Sequence, residues 1–500
     1  MLIMNPLLYL LIIPALTMVG IVLTKDLKNV RVVAAIGMTG QLVFSFVLLF
    51  WFYKLRNEGN TDAFLFVSST MWYDAFNIQL KFGIDGISLS MIILTAIVVF
   101  AGVFVSWQID YRQKEFFISL ILLATGVYGF FISLDLFTMF LFYELEVIPM
   151  YLLIGIWGSG RKEYGAMKLT LMIMAGSALL LVGLLGIYFN SAPEGGRLTF
   201  DLTEIAKVSI PISAQLYFFP FIFIGFGVSG TLFPFHTWSP DGHSSAPTAV
   251  SMLAAGVLMK LGGYGCFRVA IFLLPEAAHS LAWIFIILTS ISVVYGAFGA
   301  IWQKDLKYIN AYSSISHCGL VLFALLMLNE TATTGAFLQM ISHGLMTALF
   351  FAIIGMIYSR THTRMINEMG GLMKALPFLS VMYVIAGLAS IGLPGLSGFV
   401  AEMTIFVGSF QHADTFYRVA TIIVCSSIVI TAVYILRVVG ILFFGPMKSD
   451  SYLELKDAQW FEKLSGVTLI VFIVAIGFAP LWLSNLLHQP LTAIFQHLKI

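Results

Sequence analysis

Residues 86–107 read GISLSMIILTAIVVFAGVFVSW and contain no charged side chain. A bilayer core is crossed by roughly 20 apolar residues wound as helix, because lipid offers the backbone no hydrogen-bond partner and an unbroken helix pairs its own groups. The run is therefore a membrane span. Hydrophobic residues make up 60% of the 500-residue chain and charged ones 10%, against roughly 45–50% and 25% in soluble domains. Runs of spanning length recur from the first residues nearly to the last. The first, Pro6 to Leu23, lacks a basic leading segment and a clear cleavage site, and reads as a retained span rather than a signal peptide.

Setting apolar runs against polar breaks predicts an all-α, polytopic membrane protein of about fourteen spans. Those that matter below are span three (86–107), four (115–133), five (135–157), six (166–189), seven (214–235), eight (247–271), ten (306–328), eleven (333–358) and twelve (375–410). Lysine and arginine gather in alternate loops, among them Arg112 with Lys114, Arg161 with Lys162, Lys304 with Lys307, and Arg360, Arg364 and Lys374. The positive-inside rule places these loops inside and both termini outside. The longest outer loops, 54–85 and 190–213, are expected to pack as caps. A net charge of +1 leaves no footprint for nucleic acid, so lipid is the expected surrounding. Cys266, Cys318 and Cys425 lie far apart in apolar stretches and spell neither a disulfide framework nor metal spacing.

Two spans carry helix breakers, Thr231-Leu232-Phe233-Pro234-Phe235-His236 and Gly392-Leu393-Pro394-Gly395. Proline removes a backbone donor and frees a carbonyl. At membrane depth that is tolerated where protein or a water-filled cavity satisfies the backbone again. One broken helix in each half suggests an internal structural repeat of the kind found in secondary transporters; simple proline kinks are the alternative.

An ionisable side chain inside a span costs at least about 2.5–3.5 kcal/mol and by default marks function. Glu144 lies near the centre of span five; the alternative role is a static ion pair. Glu146 follows it, and at about 100° per residue the two carboxyls diverge, which argues against a shared dyad. Lys260 lies in the middle of span eight, too deep for its head to snorkel to either interface. Burial penalises its ammonium form, which suits it to carry a proton. Glu402 follows the break in span twelve. His317 and His343 sit in spans ten and eleven; either could be a satisfied core residue, but together they can extend a relay from Lys260 to Glu402, because imidazole both donates and accepts. Lys168, early in span six, is a third carrier or an interfacial anchor. Asp85 reads as the N-cap of span three. His236, Asp241 and His243 fall in one inside loop, where capping and packing are favoured over metal ligation. Gly225-Phe226-Gly227-Val228-Ser229-Gly230 matches a dinucleotide fingerprint only formally, since no strand precedes it. Asn329-Glu330-Thr331 is a formal glycosylation sequon and says little by itself.

The segments Glu144–Trp157 (ELEVIPMYLLIGIW), Phe233–Pro247 (FPFHTWSPDGHSSAP), Ala255–Gly265 (AGVLMKLGGYG), Asp305–Gly319 (DLKYINAYSSISHCG), Met340–Leu345 (MISHGL) and Gly392–Phe410 (GLPGLSGFVAEMTIFVGSF) resemble subunit M of bacterial NADH-quinone oxidoreductase, respiratory complex I. The resemblance covers nearly the whole chain. It implies a fourteen-helix, proton-translocating subunit with two inverted five-helix repeats. The implied division is 1–114 for the first three helices, 115–271 for the first repeat, 278–446 for the second and 464–500 for the last helix. It also implies a hydrated axis of Glu144, Lys168, Lys260, His317, His343 and Glu402. NADH, FMN, iron–sulfur clusters and quinone are expected in partner subunits and no cofactor in this chain. Neighbouring antiporter-like subunits are the expected partners, and a bacterial inner membrane the expected location. The family's lysine in span seven is replaced here by Ser229, which leaves Lys168 or Lys260 as the expected partner of Glu144. The rival readings are a subunit of a sodium/proton antiporter or membrane-bound hydrogenase, and a scaffold that has lost transport.

Overall fold

The computed structural model describes residues 5–192 and 196–498. The outermost residues of the first and last predicted segments, 1–4 and 499–500, and residues 193–195 of the second outer loop lie outside the described residues. Among the described residues twelve helices are long and apolar enough to cross a membrane. Two further predicted spans complete the set of fourteen. Span ten is the helix Leu306–Leu325, and span twelve is two short helices, Pro377–Ser390 and Ser397–Phe410, on either side of the Gly392–Gly395 break. The protein is a mostly helical, multi-pass membrane protein.

The spans that hold the ionisable residues form the interior. Spans three, eight and eleven are buried almost throughout, whereas the first two spans turn many apolar side chains outward. Small residues allow the close crossings. A Cβ on Gly262 of span eight would lie 2.3 Å from the Gly230 nitrogen, and one on Gly344 of span eleven would lie 2.6 Å from the Gly256 carbonyl.

Broken helices are more numerous than the prolines indicate. Span five stops at Leu145 and restarts at Val147, so Glu146 occupies the joint. Span seven ends at Ser229, and a short helix, Trp238–Ser245, follows the break. Span eight, Thr248–Ile271, carries two widened π turns, Ala254–Leu258 and Cys266–Ile271, on either side of Lys260. Such turns open the hydrogen-bond ladder and are frequent where a helix carries function.

The outer loops do form a cap, and part of it is sheet. Strands β1 (Leu65–Tyr73) and β2 (Ile78–Ile84) pair antiparallel, with Ser68 opposite Phe82 and Thr70 opposite Leu80. Lys81 of β2 reaches across to Asp201 at 2.6 Å and Thr203 at 2.7 Å, tying the two loops together. Span fourteen is shorter than predicted. It ends at Phe478, and a separate helix, Leu481–Leu498, follows.

Candidate functional site

The first π turn leaves Lys260 at the start of the regular helix Met259–Gly265, with its side chain turned inward. Its ammonium donates to the Ala255 carbonyl, five residues earlier, which a regular helix would have engaged otherwise. It also lies 2.9 Å from His343 Nδ1. The His343 ring faces that of His317, with centroids 5.3 Å apart. His317 Nδ1 lies 3.1 Å from the Gln339 amide nitrogen and 3.7 Å from a Glu402 carboxylate oxygen, and its Nε2 lies 3.3 Å from the Ser390 hydroxyl. Lys260, His343, His317 and Glu402 thus form one row, and each is at most 5% exposed.

This order corrects the expected one. The chain order His317 then His343 is reversed in space, because His343 of span eleven, and not His317 of span ten, lies beside Lys260. Glu402 is held by the break in span twelve. Gly392 adopts φ +74°, and a Cβ there would fall 2.6 Å from the second Glu402 oxygen. That backbone conformation suits glycine, and the missing side chain makes room for the carboxylate. The hydroxyls of Ser342 and Ser397, 2.7 Å apart, tie span eleven to the second half of span twelve.

The other expected carriers are placed differently. Lys168 does not partner Glu144. It pairs with Asp241 at 2.7 Å, and Asp241 also accepts from Tyr308 at 2.9 Å, joining span six to span ten. Lys260 does not take the role either, because its ammonium is already engaged by Ala255 and His343. Glu144 is half-buried beside Ser177, and Glu146 is buried in the joint of span five. Among the described residues neither carboxyl takes part in an ion pair, and each keeps one oxygen without a hydrogen bond. Ser229 donates to the Leu258 carbonyl at 3.3 Å and neighbours Tyr143 rather than Glu144.

Four buried groups were not picked out as site residues. His243 belongs to the helix Trp238–Ser245 rather than to an exposed loop. It packs between the rings of Trp238 and Phe351, and neither of its ring nitrogens has a hydrogen-bond partner. It feels the charges of Lys260 and Lys307. The seven-residue spacing of His236 and His243 is a helical repeat that could have signalled this, but the polar run SPDGHSS disguises it. Lys307, counted above as a loop charge, is buried and donates to the Ala246 carbonyl at 2.6 Å. Arg268, two turns after Lys260, pairs with Asp85 at 2.5 Å, and both are buried. Asp85 also caps span three, as predicted, accepting from the Ser88 amide at 2.8 Å. Tyr264, between Lys260 and Arg268 on span eight, shares a hydrogen bond of 2.8 Å with Ser88. Among the described residues no three His, Cys, Asp or Glu side chains come together as a metal site.

Comparison with known proteins gives a consistent picture. The family model described as "NADH:quinone oxidoreductase/Mrp antiporter, TM" matches residues 133–431. Chain 4 of an NAD(P)H-quinone oxidoreductase from Microcystis aeruginosa is 34% identical over 491 residues, which cover 93% of this chain and 87% of that protein. A chain of respiratory complex I from Thermus thermophilus superposes with a TM-score of 0.88 at 23% identity, covering 98% of this chain and 99% of that one. A chain of the Mrp complex from Dietzia sp. superposes with a TM-score of 0.84 at 18% identity, covering 99% and 98%. At these identities the two solved structures establish a shared fold.

Proposed function

This chain belongs to the NADH:quinone oxidoreductase/Mrp antiporter transmembrane family, and from that premise we propose that it is the M-type proton-translocating membrane subunit of a quinone-reducing NADH dehydrogenase. The observation that carries the reading is the buried row Lys260, His343, His317, Glu402, which links spans eight, eleven, ten and the broken span twelve.

The chemistry follows from the residue types. The Lys260 ammonium gives a proton to His343 Nδ1 and becomes a neutral amine, which burial favours. Each imidazole takes a proton on one ring nitrogen and releases one from the other, so two facing rings pass it along without net displacement. His317 hands it from Nδ1 to the Glu402 carboxylate, 3.7 Å away, when the Gln339 amide that donates to the same nitrogen at rest turns aside. Gln339 and Ser390 hold the His317 ring in place. Lys168, paired with Asp241 between the two halves, supplies a fixed positive charge on the inner side rather than a link in the row. Moving one charge against 100 mV takes about 2.3 kcal/mol, a load that an electrostatic push along paired charges can supply.

The redox chemistry is assigned to partner subunits, which would hold NADH, FMN, iron–sulfur clusters and quinone. Neighbouring antiporter-like subunits of the membrane arm would flank this one in a bacterial inner membrane. The fold shared with the Mrp chain favours one second reading, a subunit of a cation/proton antiporter. Co-purification separates the two, because NADH-oxidising and quinone-site subunits accompany the first and not the second. For the transport itself, Lys260→Ala in the assembled complex is expected to abolish most NADH-driven proton transport into sealed vesicles. Assembly with undiminished transport would identify a scaffold instead.

A further inference from the structure

The outer ends of three spans meet at a group of charges that the row does not use. Arg56 stands in the last turn of span two (Leu27–Asn57), Asp85 caps span three, and Arg268 lies in the last turn of span eight. They line one cavity of about 270 Å³ together with Asp62 and Phe64 of the first outer loop. That volume is far above the roughly 10–15 Å³ that admits one water. The helix Leu481–Leu498 closes one side of the cavity with Pro490 and Ile494. It is fixed in place, because the Thr492 hydroxyl donates to Glu330 at 2.6 Å and the Tyr53 hydroxyl to the Trp482 carbonyl at 2.6 Å. A Cβ on Gly86 would fall 1.8 Å from the Leu486 oxygen, so the helix rests on the backbone of span three.

Both guanidinium groups are only partly engaged. Arg268 is 1% exposed, pairs with Asp85 at 2.5 Å through one terminal nitrogen, and lies over the rings of Phe64 and Tyr264. Arg56 gives one terminal nitrogen to the carbonyls of Asn60 and Asp62, at 3.0 and 2.7 Å. In each arginine the Nε is buried and has no hydrogen-bond partner among the described residues. A buried N–H without an acceptor is costly, so two such donors in one cavity call for an acceptor there. Phosphate oxygens suit them, because the planar guanidinium presents several N–H groups to one phosphate at once. Asp62 is exposed, with its carboxylate held by the Asn60 amide at 3.2 Å, and offers a negative charge to a cation beside the phosphate.

Depth and lining indicate which molecule brings that phosphate. Trp51 and Tyr53 stand on span two within about a turn and a half of Arg56, and Trp482 begins the last helix. Rings of this kind settle at the headgroup level of a bilayer. Phe50 and Trp51 turn outward at that height. The cavity is part apolar, since Phe64, Pro490 and Ile494 share it with the charges. A free ion gains nothing from such a wall, whereas the glycerol end of a lipid buries against it.

We propose that this cavity is a headgroup site for a phospholipid whose phosphate carries a primary ammonium, as in phosphatidylethanolamine. The phosphate oxygens accept from the Nε groups of Arg56 and Arg268, the ammonium donates to Asp62, and the glycerol end rests on Pro490 and Ile494. Asp85 stays with Arg268. The site is separate from the buried row and does not depend on the transport reading.

The test uses the whole complex in phosphatidylcholine vesicles that contain a phosphatidylethanolamine probe with a photoreactive group at the start of one acyl chain. After illumination, cross-linked peptides are identified by mass spectrometry. Adducts are expected on the segments 61–64 and 489–494. Unlabelled phosphatidylethanolamine should compete for them, and equal amounts of phosphatidylglycerol or inorganic phosphate should not. Arg56→Gln removes one charge-assisted donor and should cut these adducts at least about tenfold, with adducts elsewhere on the outer surface unchanged. Asp62→Asn should erase the preference over phosphatidylglycerol. Competition by inorganic phosphate would assign the cavity to a free anion and overturn the lipid site. Equal competition by phosphatidylglycerol in the wild type would overturn the assignment to an ammonium-bearing headgroup. Segments labelled no more than the rest of the outer surface would overturn the site altogether. Should Arg56→Gln not assemble, the competition series on the wild-type complex still decides between these outcomes.

Discussion

Replacing Asp85 by alanine removes two interactions at once, and the structure allows each to be weighed. The first is the cap of span three, in which the Asp85 carboxylate accepts from the Ser88 amide at 2.8 Å. Loss of such a cap costs about 1 kcal/mol. The second is the ion pair with Arg268 at 2.5 Å, where both side chains are 2% exposed. Removing one member leaves the other as an uncompensated buried charge, at about 3–5 kcal/mol. Asp85→Ala should therefore cost about 5 kcal/mol. Asp85→Asn keeps an oxygen for the cap and should cost the ion-pair share alone. The double variant Asp85→Asn with Arg268→Met should recover most of the loss, because no bare charge remains. The methionine would also pack where the guanidinium now lies over the rings of Phe64 and Tyr264, 5.4 and 5.3 Å from their centroids. Denaturant unfolding of the purified complex, followed by span-three fluorescence labels, should rank stability as wild type, double variant, Asp85→Asn, Asp85→Ala. The reasoning is refuted if Asp85→Asn lies within about 1 kcal/mol of wild type, or if the two single losses simply add in the double variant.

Two further outcomes follow from the same geometry. Gly392→Ala places a Cβ 2.6 Å from the Glu402 carboxylate at φ +74°. The strain is about 1–2 kcal/mol, so the variant should assemble with Glu402 displaced and proton transport reduced several-fold, and transport at the wild-type rate would contradict the assigned fit. The helix of span five begins at Leu136, one residue later than predicted, which leaves Asp135 outside it as the N-cap, where burial pushes its carboxyl up to about 6, against the pull of the Thr138, Gln79 and Phe137 amides. Its folded value exceeds its unfolded one, so the native state binds the proton more tightly. Stability of this capped turn should rise as pH falls through about 6 toward 4 and level off below, a slope that Asp135→Asn abolishes. Thermal unfolding across that range decides it, and a slope of the opposite sign would count against the burial described.

Much of this protein was decided by local composition. The spans follow from apolar run length, because each must pair its own backbone in lipid. The break in span twelve follows from Gly392 and Pro394, and the choice of Lys260 and Glu402 as candidates from the cost of carrying charge at that depth. Resemblance to the family added the expectation of a single axis. The tertiary structure decided which buried groups meet. His343 lies 83 positions from Lys260 and touches it, while His317 is reached through it. Lys168 pairs with Asp241, 73 positions away, and so is not available to Glu144. The joint at Glu146 has its breaker three residues later, because Pro149 lacks the amide that would bond the Leu145 carbonyl. His243 and Lys307 belonged to stretches polar enough to pass for loops. Run length and breakers act over a few neighbouring residues and can be read along the chain. Pairing in a bundle depends on which helix faces which, and that is set by packing among segments far apart in sequence.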